Sequence, residues 1–149
     1  WTVAGLIARR LGADLHAITP AEAYPEDYRQ ALELAQQQQD DDARPELADT
    51  DLDLSAYDTV FIGYPLWYGY EPMIIRTFLE SYDFSGKTVI PFCTSGGSTI
   101  SASEQSIAAL IPQATLLEGI TISGSSAADA GAEVTSWLTD LGLLTTQGE

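Results

Sequence analysis

Hydrophobic and polar positions along the chain change period in a regular order. Over Thr2–Leu11, Val3, Leu6 and Ile7 share one helical face, and Arg9 and Arg10 sit at the favourable end of the helix dipole. Gly12 is a natural stop. Ala13–Thr19 alternates Leu15 and Ala17 against Asp14 and His16, adds Ile18 before Pro20, and predicts a short strand. Tyr24-Pro25 opens a second helix, with Glu26 and Asp27 in its first turn and Tyr28, Ala31, Leu32 and Ala35 on one stripe. Gln36–Asp42, glutamines followed by aspartates, reads as a solvated helix end running into a loop that lasts to Leu54 and Tyr57. Val60, Phe61 and Ile62 form an apolar run suited to a strand buried on both faces, ended by Pro65.

The second half continues the alternation, with no internal repeat. Glu71–Tyr82 predicts a helix, since Ile75, Phe78, Leu79 and Tyr82 follow the i, i+3, i+4, i+7 pattern. Thr88–Cys93 is another buried strand. Ser101 and Glu104 match a capping box for a helix whose apolar face is Ile107, Leu110 and Ile111, stopped by Pro112. Ala114–Ile122 makes the next strand. Ser126 or Asp129 caps a last helix lined by Ala130, Val134, Trp137, Leu138 and Leu141 and ended by Gly142. Helices alternating with short buried strands indicate an α/β fold, a doubly wound parallel sheet with helices on both faces.

Composition narrows the function classes. At 149 residues, with 45% hydrophobic and 19% charged residues, the chain reads as one globular domain over 1–149. Its 22 acidic against 6 basic residues give a formal charge of −16, which repels nucleic acid and anionic lipid and leaves high solubility or a basic protein partner. A single cysteine, Cys93, rules out an internal disulfide and a multi-thiolate metal site, and its apolar surroundings make it a small buried hydrophobe. No apolar stretch reaches the length of a membrane span, so a cytoplasmic protein is expected. Asp49, Asp51 and Asp53 imitate the start of a calcium loop, but Leu54 and Val60 stand where that loop needs glycine and glutamate. His16, the one histidine, lies on an early strand away from any serine nucleophile, and Gly96-Gly97-Ser98-Thr99-Ile100 lacks the final glycine of a nucleophile elbow.

Two loops carry the candidate chemistry. Pro65, Leu66, Trp67, Tyr68 and Gly69 emerge where one buried strand ends; Thr94, Ser95, Gly96, Gly97 and Ser98 follow the next. Ligands of open α/β sheets bind at this carboxyl edge. Two large rings there suit the face of a planar heteroaromatic group, while hydroxyls and glycine-freed N–H groups suit its polar edge. A hydrophobic loop tucked under a neighbouring helix is the competing reading of Pro65–Gly69 alone.

With these segments in view, the chain resembles a flavodoxin, in the group with Gly-Tyr-Pro-Leu-Trp-Tyr-Gly (Gly63–Gly69) after the third strand. Phe78–Lys87, Pro91–Ser98 and Tyr24-Pro25-Glu26-Asp27-Tyr28 add to the likeness, which covers Val3–Leu143. The resemblance implies a three-layer, five-stranded sheet of order 2-1-3-4-5 with FMN at the switch point between the first and third strands. Pro65, Leu66, Trp67, Tyr68 and Gly69 would flank one side of the isoalloxazine, and Thr94, Ser95, Gly96, Gly97 and Ser98 its other side and polar edge. A receiver domain has the same topology but by resemblance wants an acid and a lysine where Tyr64-Pro65 and Ser123-Gly124 stand.

One departure from the family stands out. The family opens with a buried strand and a Thr/Ser-rich phosphate loop, whereas this sequence starts at Trp1, at the helix that follows that loop. An N-terminally incomplete domain is therefore expected, with a slot of roughly 10 Å between Ala13–Thr19 and Thr59–Tyr64, twice the strand spacing. A strand supplied by another chain is the alternative. Three functions stay open: an FMN electron carrier; an FMN-dependent reductase of the NAD(P)H or quinone type; and a flavin-free flavodoxin-like module. The expected partner is a redox protein or a small electron acceptor, with no nucleic acid. A charge of −16 also disfavours added negative charge on the ring, lowering its second reduction potential.

Overall fold

Alternation of apolar positions along two central strands divides the core into two layers. A computed structural model of the chain describes residues 2–22, 25–48, 52–55, 57–66, 70–95, 99–123 and 130–143. The elements run α1 (Thr2–Leu11), α2 (Tyr28–Asp40), β1 (Thr59–Pro65), α3 (Met73–Ser81), β2 (Thr88–Ser95), α4 (Ser101–Leu110), β3 (Thr115–Leu116), β4 (Ile120–Ser123) and α5 (Gly131–Asp140). β2 is central and parallel to all its neighbours, pairing with β1 from Thr59↔Thr88 to Pro65↔Thr94 and on its other side with β3 and β4. From β1 and β2, Val60, Ile62, Tyr64, Val89 and Cys93 pack with α3 and α4 residues such as Ile75, Phe78, Leu79 and Ile107. Phe61, Ile90 and Phe92 point the other way, onto Val3 and Ile7 of α1 and Val134, Trp137 and Leu138 of α5. Period two along the strands thus separates the two layers.

Local chemistry explains the boundaries. Gly12, at φ +69°, closes α1 in the left-handed region, as Gly142, at φ +81°, closes α5. Asp27 stands one place before α2 and accepts a hydrogen bond from Gln30 N (3.1 Å), so it is the N-cap and not part of the first turn. Of the expected α2 stripe only Ala35 is buried, and Tyr28 is 78% exposed. α3 starts at Met73, after Pro72, two residues later than expected.

Three expectations are corrected. Ala13–Thr19 forms no ladder; near it there is only an isolated bridge, Pro20↔Leu47. Its alternation is real, but a strand needs a hydrogen-bonding neighbour, and β1 lies across a cavity from it. The strand expected over Ala114–Ile122 is two short ones. Val89 pairs with Leu116 and Phe92 with Ile120, so the outer strand has one residue more than β2 between these pairs: a bulge opposite Pro91, which has no N–H to give. The Ser101–Glu104 capping box does not form. Ile100 is the N-cap residue without a side-chain cap, and the Glu104 carboxylate instead accepts from Gly119 N (2.8 Å) inside the bulge. The proposed caps Ser126 and Asp129 lie outside the described residues.

Candidate functional site

The carboxyl edge of the sheet forms where β1 and β2 end side by side. Pro65 is the last residue of β1, and Thr94 and Ser95 are the last two of β2. Leu66, one residue further, donates its N–H to Thr94 O (2.9 Å), so the two loops leave the sheet already tied together. Pro65 is exposed, and Leu66, Thr94 and Ser95 are half-buried. Trp67, Tyr68, Gly69, Gly96, Gly97 and Ser98 lie outside the described residues.

Behind this edge lies a cavity of about 1050 Å³, bordered by Ala13–Pro20 on one side and Thr59–Pro65 on the other. Val3 and Ile7 of α1, Phe78 of α3, and Phe92 to Thr94 of β2 complete its walls. It occupies the place where the expected slot falls. Among the described residues β1 pairs on one edge only. Leu15, 54% exposed, is one of the apolar side chains left at its rim. His16 is exposed on this rim, with its ring 6.4 Å from that of Phe78.

A buried polar cluster under the first loop was not foreseen. Glu71, 1% exposed, follows that loop and precedes α3. Its carboxylate accepts from Ser103 Oγ (2.8 Å), Ser106 Oγ (2.7 Å) and Arg76 Nε (2.9 Å). The Tyr64 hydroxyl lies 2.7 Å from Ser103 Oγ, and because Ser103 gives its proton to Glu71, Tyr64 is the donor. Burial pushes the Tyr64 phenol above its ordinary pKa, with the Glu71 charge adding to the shift. Residues at both ends of the loop, Tyr64 and Glu71, are therefore held by one hydroxyl on α4. Arg76 continues outward to Asp42 (3.2 Å), which also meets Arg44 (2.7 Å), and Arg44 in turn grips Glu80 (2.7 Å).

The sequence did carry a signal for this cluster. Ser103 is four residues before Ile107 on the apolar stripe of α4, and a polar residue on a buried stripe needs a partner. Glu71 lies between Tyr70 and the apolar run Pro72-Met73-Ile74-Ile75, where helix periodicity assigned it to the first turn of α3. Nothing in the periodicity pairs the two.

Cys93 is buried on β2, its Sγ 3.8 Å from Thr121 Oγ1, and burial pushes its thiol pKa up; it serves as core, as its apolar context implied. Thr121 also accepts from Ile100 N (2.8 Å), fixing the start of α4 just after the second loop. Among the described residues, no group of three or more His, Cys, Asp or Glu is placed to hold a metal, and no helix is long and apolar enough to cross a membrane.

The donors present fit the polar edge of a flat ring. They comprise two half-buried hydroxyl residues, Thr94 and Ser95, at the end of a parallel strand tied to Leu66 of the neighbouring loop. Comparison with known proteins bears on the fold and the family. A family model described as Flavodoxin matches residues 1–141. A candidate flavoprotein from Bacteroides uniformis ATCC 8492 is 35% identical, with 92% of this chain and 88% of that one covered and a TM-score of 0.81. One from Bacteroides eggerthii DSM 20697 is 31% identical, with 94% and 88% covered and a TM-score of 0.82. A flavoprotein from Lactobacillus acidophilus NCFM, solved in complex with FMN, shares the fold at 22% identity, with 91% and 87% covered and a TM-score of 0.68. A comparison with curated proteins gives no match. The α/β/α layering, the parallel sheet and the match over nearly the whole chain lead to one conclusion: this chain belongs to the flavodoxin family.

Proposed function

We propose that this chain binds FMN at the carboxyl edge of β1 and β2 and acts as an electron-transfer protein. The observation that carries this reading is the direct link between the two candidate loops, Leu66 N to Thr94 O, at the edge where α/β sheets take their ligands. Membership of the family, and FMN in the complex of the Lactobacillus acidophilus flavoprotein, support it. When bound, FMN supplies the ring that accepts and releases electrons.

The residues of this chain would do the rest. Pro65, Leu66, Trp67, Tyr68 and Gly69 cover one side of the isoalloxazine, with Trp67 and Tyr68 contributing aromatic surface. Thr94, Ser95, Gly96, Gly97 and Ser98 meet the other side, where hydroxyls and backbone N–H groups orient its polar edge. The loops keep bulk water from the ring, and a net charge of −16 opposes negative charge building up on it. The same charge favours a redox partner with a basic docking face. A single thiol and a soluble acidic surface suit the cytoplasm, with residues 1–149 working as one flavodoxin-like domain.

The test is a visible spectrum of the purified protein, followed by rapid mixing with NAD(P)H. A flavin spectrum with no direct reduction at a useful rate is the expected result. Fast reduction by NAD(P)H would make it a reductase instead, and a colourless protein that takes up no added FMN would remove the proposal.

A further inference from the structure

Just after the first candidate loop lies a carboxylate whose side chain is shut off from solvent. Glu71 is 1% exposed and holds three hydrogen bonds, from Ser103, Ser106 and Arg76. A carboxylate buried so completely is costly unless every partner is in place. It anchors the far end of the Pro65–Tyr70 loop, while Tyr64 anchors the near end to the same Ser103. Ser103 and Ser106 belong to α4, and α4 is the helix into which the Thr94–Ser98 loop leads. The cluster therefore joins both ends of the first loop to α4, the helix that follows the second.

We infer that Glu71 is a positioning residue, holding both ends of the first loop, Tyr64 and Glu71 itself, against α4 and through them the fit of the isoalloxazine. Where the ligand is concerned this rests on the FMN reading above; the tie of β1 and α3 to α4 stands apart from it. Leu66 N to Thr94 O ties the end of β1 to β2, and Glu71, with Tyr64, ties the ends of the same loop to α4. Ties to two different elements hold the loop's ends where one would leave a hinge. Arg76 matters because it neutralises the carboxylate and passes the link to Asp42, outside the core.

The test uses the whole chain with Glu71→Ala, Glu71→Gln and Ser106→Ala, and Val134→Ala on the opposite layer as a control of general destabilisation. Two measurements are made: hydrogen exchange of the flavin-free protein over residues 64–72 and 94–101, and FMN affinity by quenching of flavin fluorescence. Glu71→Ala is expected to speed exchange in both segments and to raise the FMN dissociation constant about tenfold, the scale of one lost buried hydrogen bond. Glu71→Gln, which keeps an acceptor for Ser103 but loses the ion pair with Arg76 and the bond from Ser106, recovers part of both. Val134→Ala speeds exchange most in α5, and speeds the two segments less than Glu71→Ala does.

If Glu71→Ala does not fold, Glu71→Gln and Ser106→Ala decide the matter, each speeding exchange in the two segments by a smaller factor. If the substitutions at Glu71 and Ser106 leave both segments exchanging as in wild type, or no faster than Val134→Ala does, the positioning role is wrong. If no form, wild type included, binds FMN, the FMN reading fails while the exchange data still judge Glu71.

Discussion

At Gly63 the space of a side chain is taken by the Phe92 ring, which a Cβ would strike directly. The glycine is needed for room and not for a special backbone angle, since its φ is not in the left-handed region. Gly63→Ala is expected to cost about 1–3 kcal/mol, the usual range for an overpacked core, and to lower the urea midpoint without changing its slope. Asp42, at φ 49°, is the one described non-glycine residue in the left-handed region. Its carboxylate joins Arg44 and Arg76, and the hydrogen bond from Arg44 is the main cause of its lowered pKa. A depressed folded pKa means that the stabilisation is present above the unfolded value of 3.8 and is lost as pH falls through the folded value. Asn tolerates the same backbone region, so Asp42→Asn is expected to be less stable than wild type at pH 7 and equal to it below the folded pKa of Asp42. Denaturation curves across this range check the sign; a difference that persists in acid would contradict it.

Among the elements, β1 shows how far the sequence could be read. Its apolar run predicted a strand buried on both faces, and Ile62 and Tyr64 are buried against α3 and α4 while Phe61 faces α5. Its register also identifies the edge that has no partner strand among the described residues. Thr88 N donates to Asp58 O and Leu66 N to Thr94 O, so the even-numbered residues between them turn their backbone groups to β2, and Thr59, Phe61 and Gly63 turn theirs away. Hydrogen exchange on this chain is expected to protect the amides of Val60, Ile62 and Tyr64 well above those of Phe61 and Gly63. Equal protection along β1 would mean that its outer edge is paired. The helices were legible because each carries its own pattern: α1 has the bounds expected from Val3, Ile7 and Gly12. What needed a neighbour was not legible. Ala13–Thr19 alternates like a strand yet finds no ladder, the bulge depends on Pro91 in a different strand, and Glu104 caps Gly119 rather than its own helix. Of the candidate site, the positions of Pro65, Leu66, Thr94 and Ser95 at one edge followed from strand ends. The Glu71 cluster did not, because it joins residues far apart in the chain.

For the molecule as a whole, charge is the dominant unusual property. A formal charge of −16 repels itself in the compact state, and the ties among Asp42, Arg44, Arg76 and Glu80 use two of the 6 basic residues to hold the segment after α2 against α3. Raising salt from about 0.01 M to about 1 M shortens the screening length from about 30 Å to about 3 Å, so the melting temperature is expected to rise. A fall would mean that these ion pairs outweigh the general repulsion. The central claim concerns the two loops and a flat ring held between them, and a fluorescence titration of the protein with FMN, with riboflavin in parallel, addresses it most directly. Saturable quenching of the flavin, weakened when Trp67 or Tyr68 is replaced by alanine, is the predicted result. Flavin emission that stays unchanged as protein is added, with both FMN and riboflavin, would contradict it.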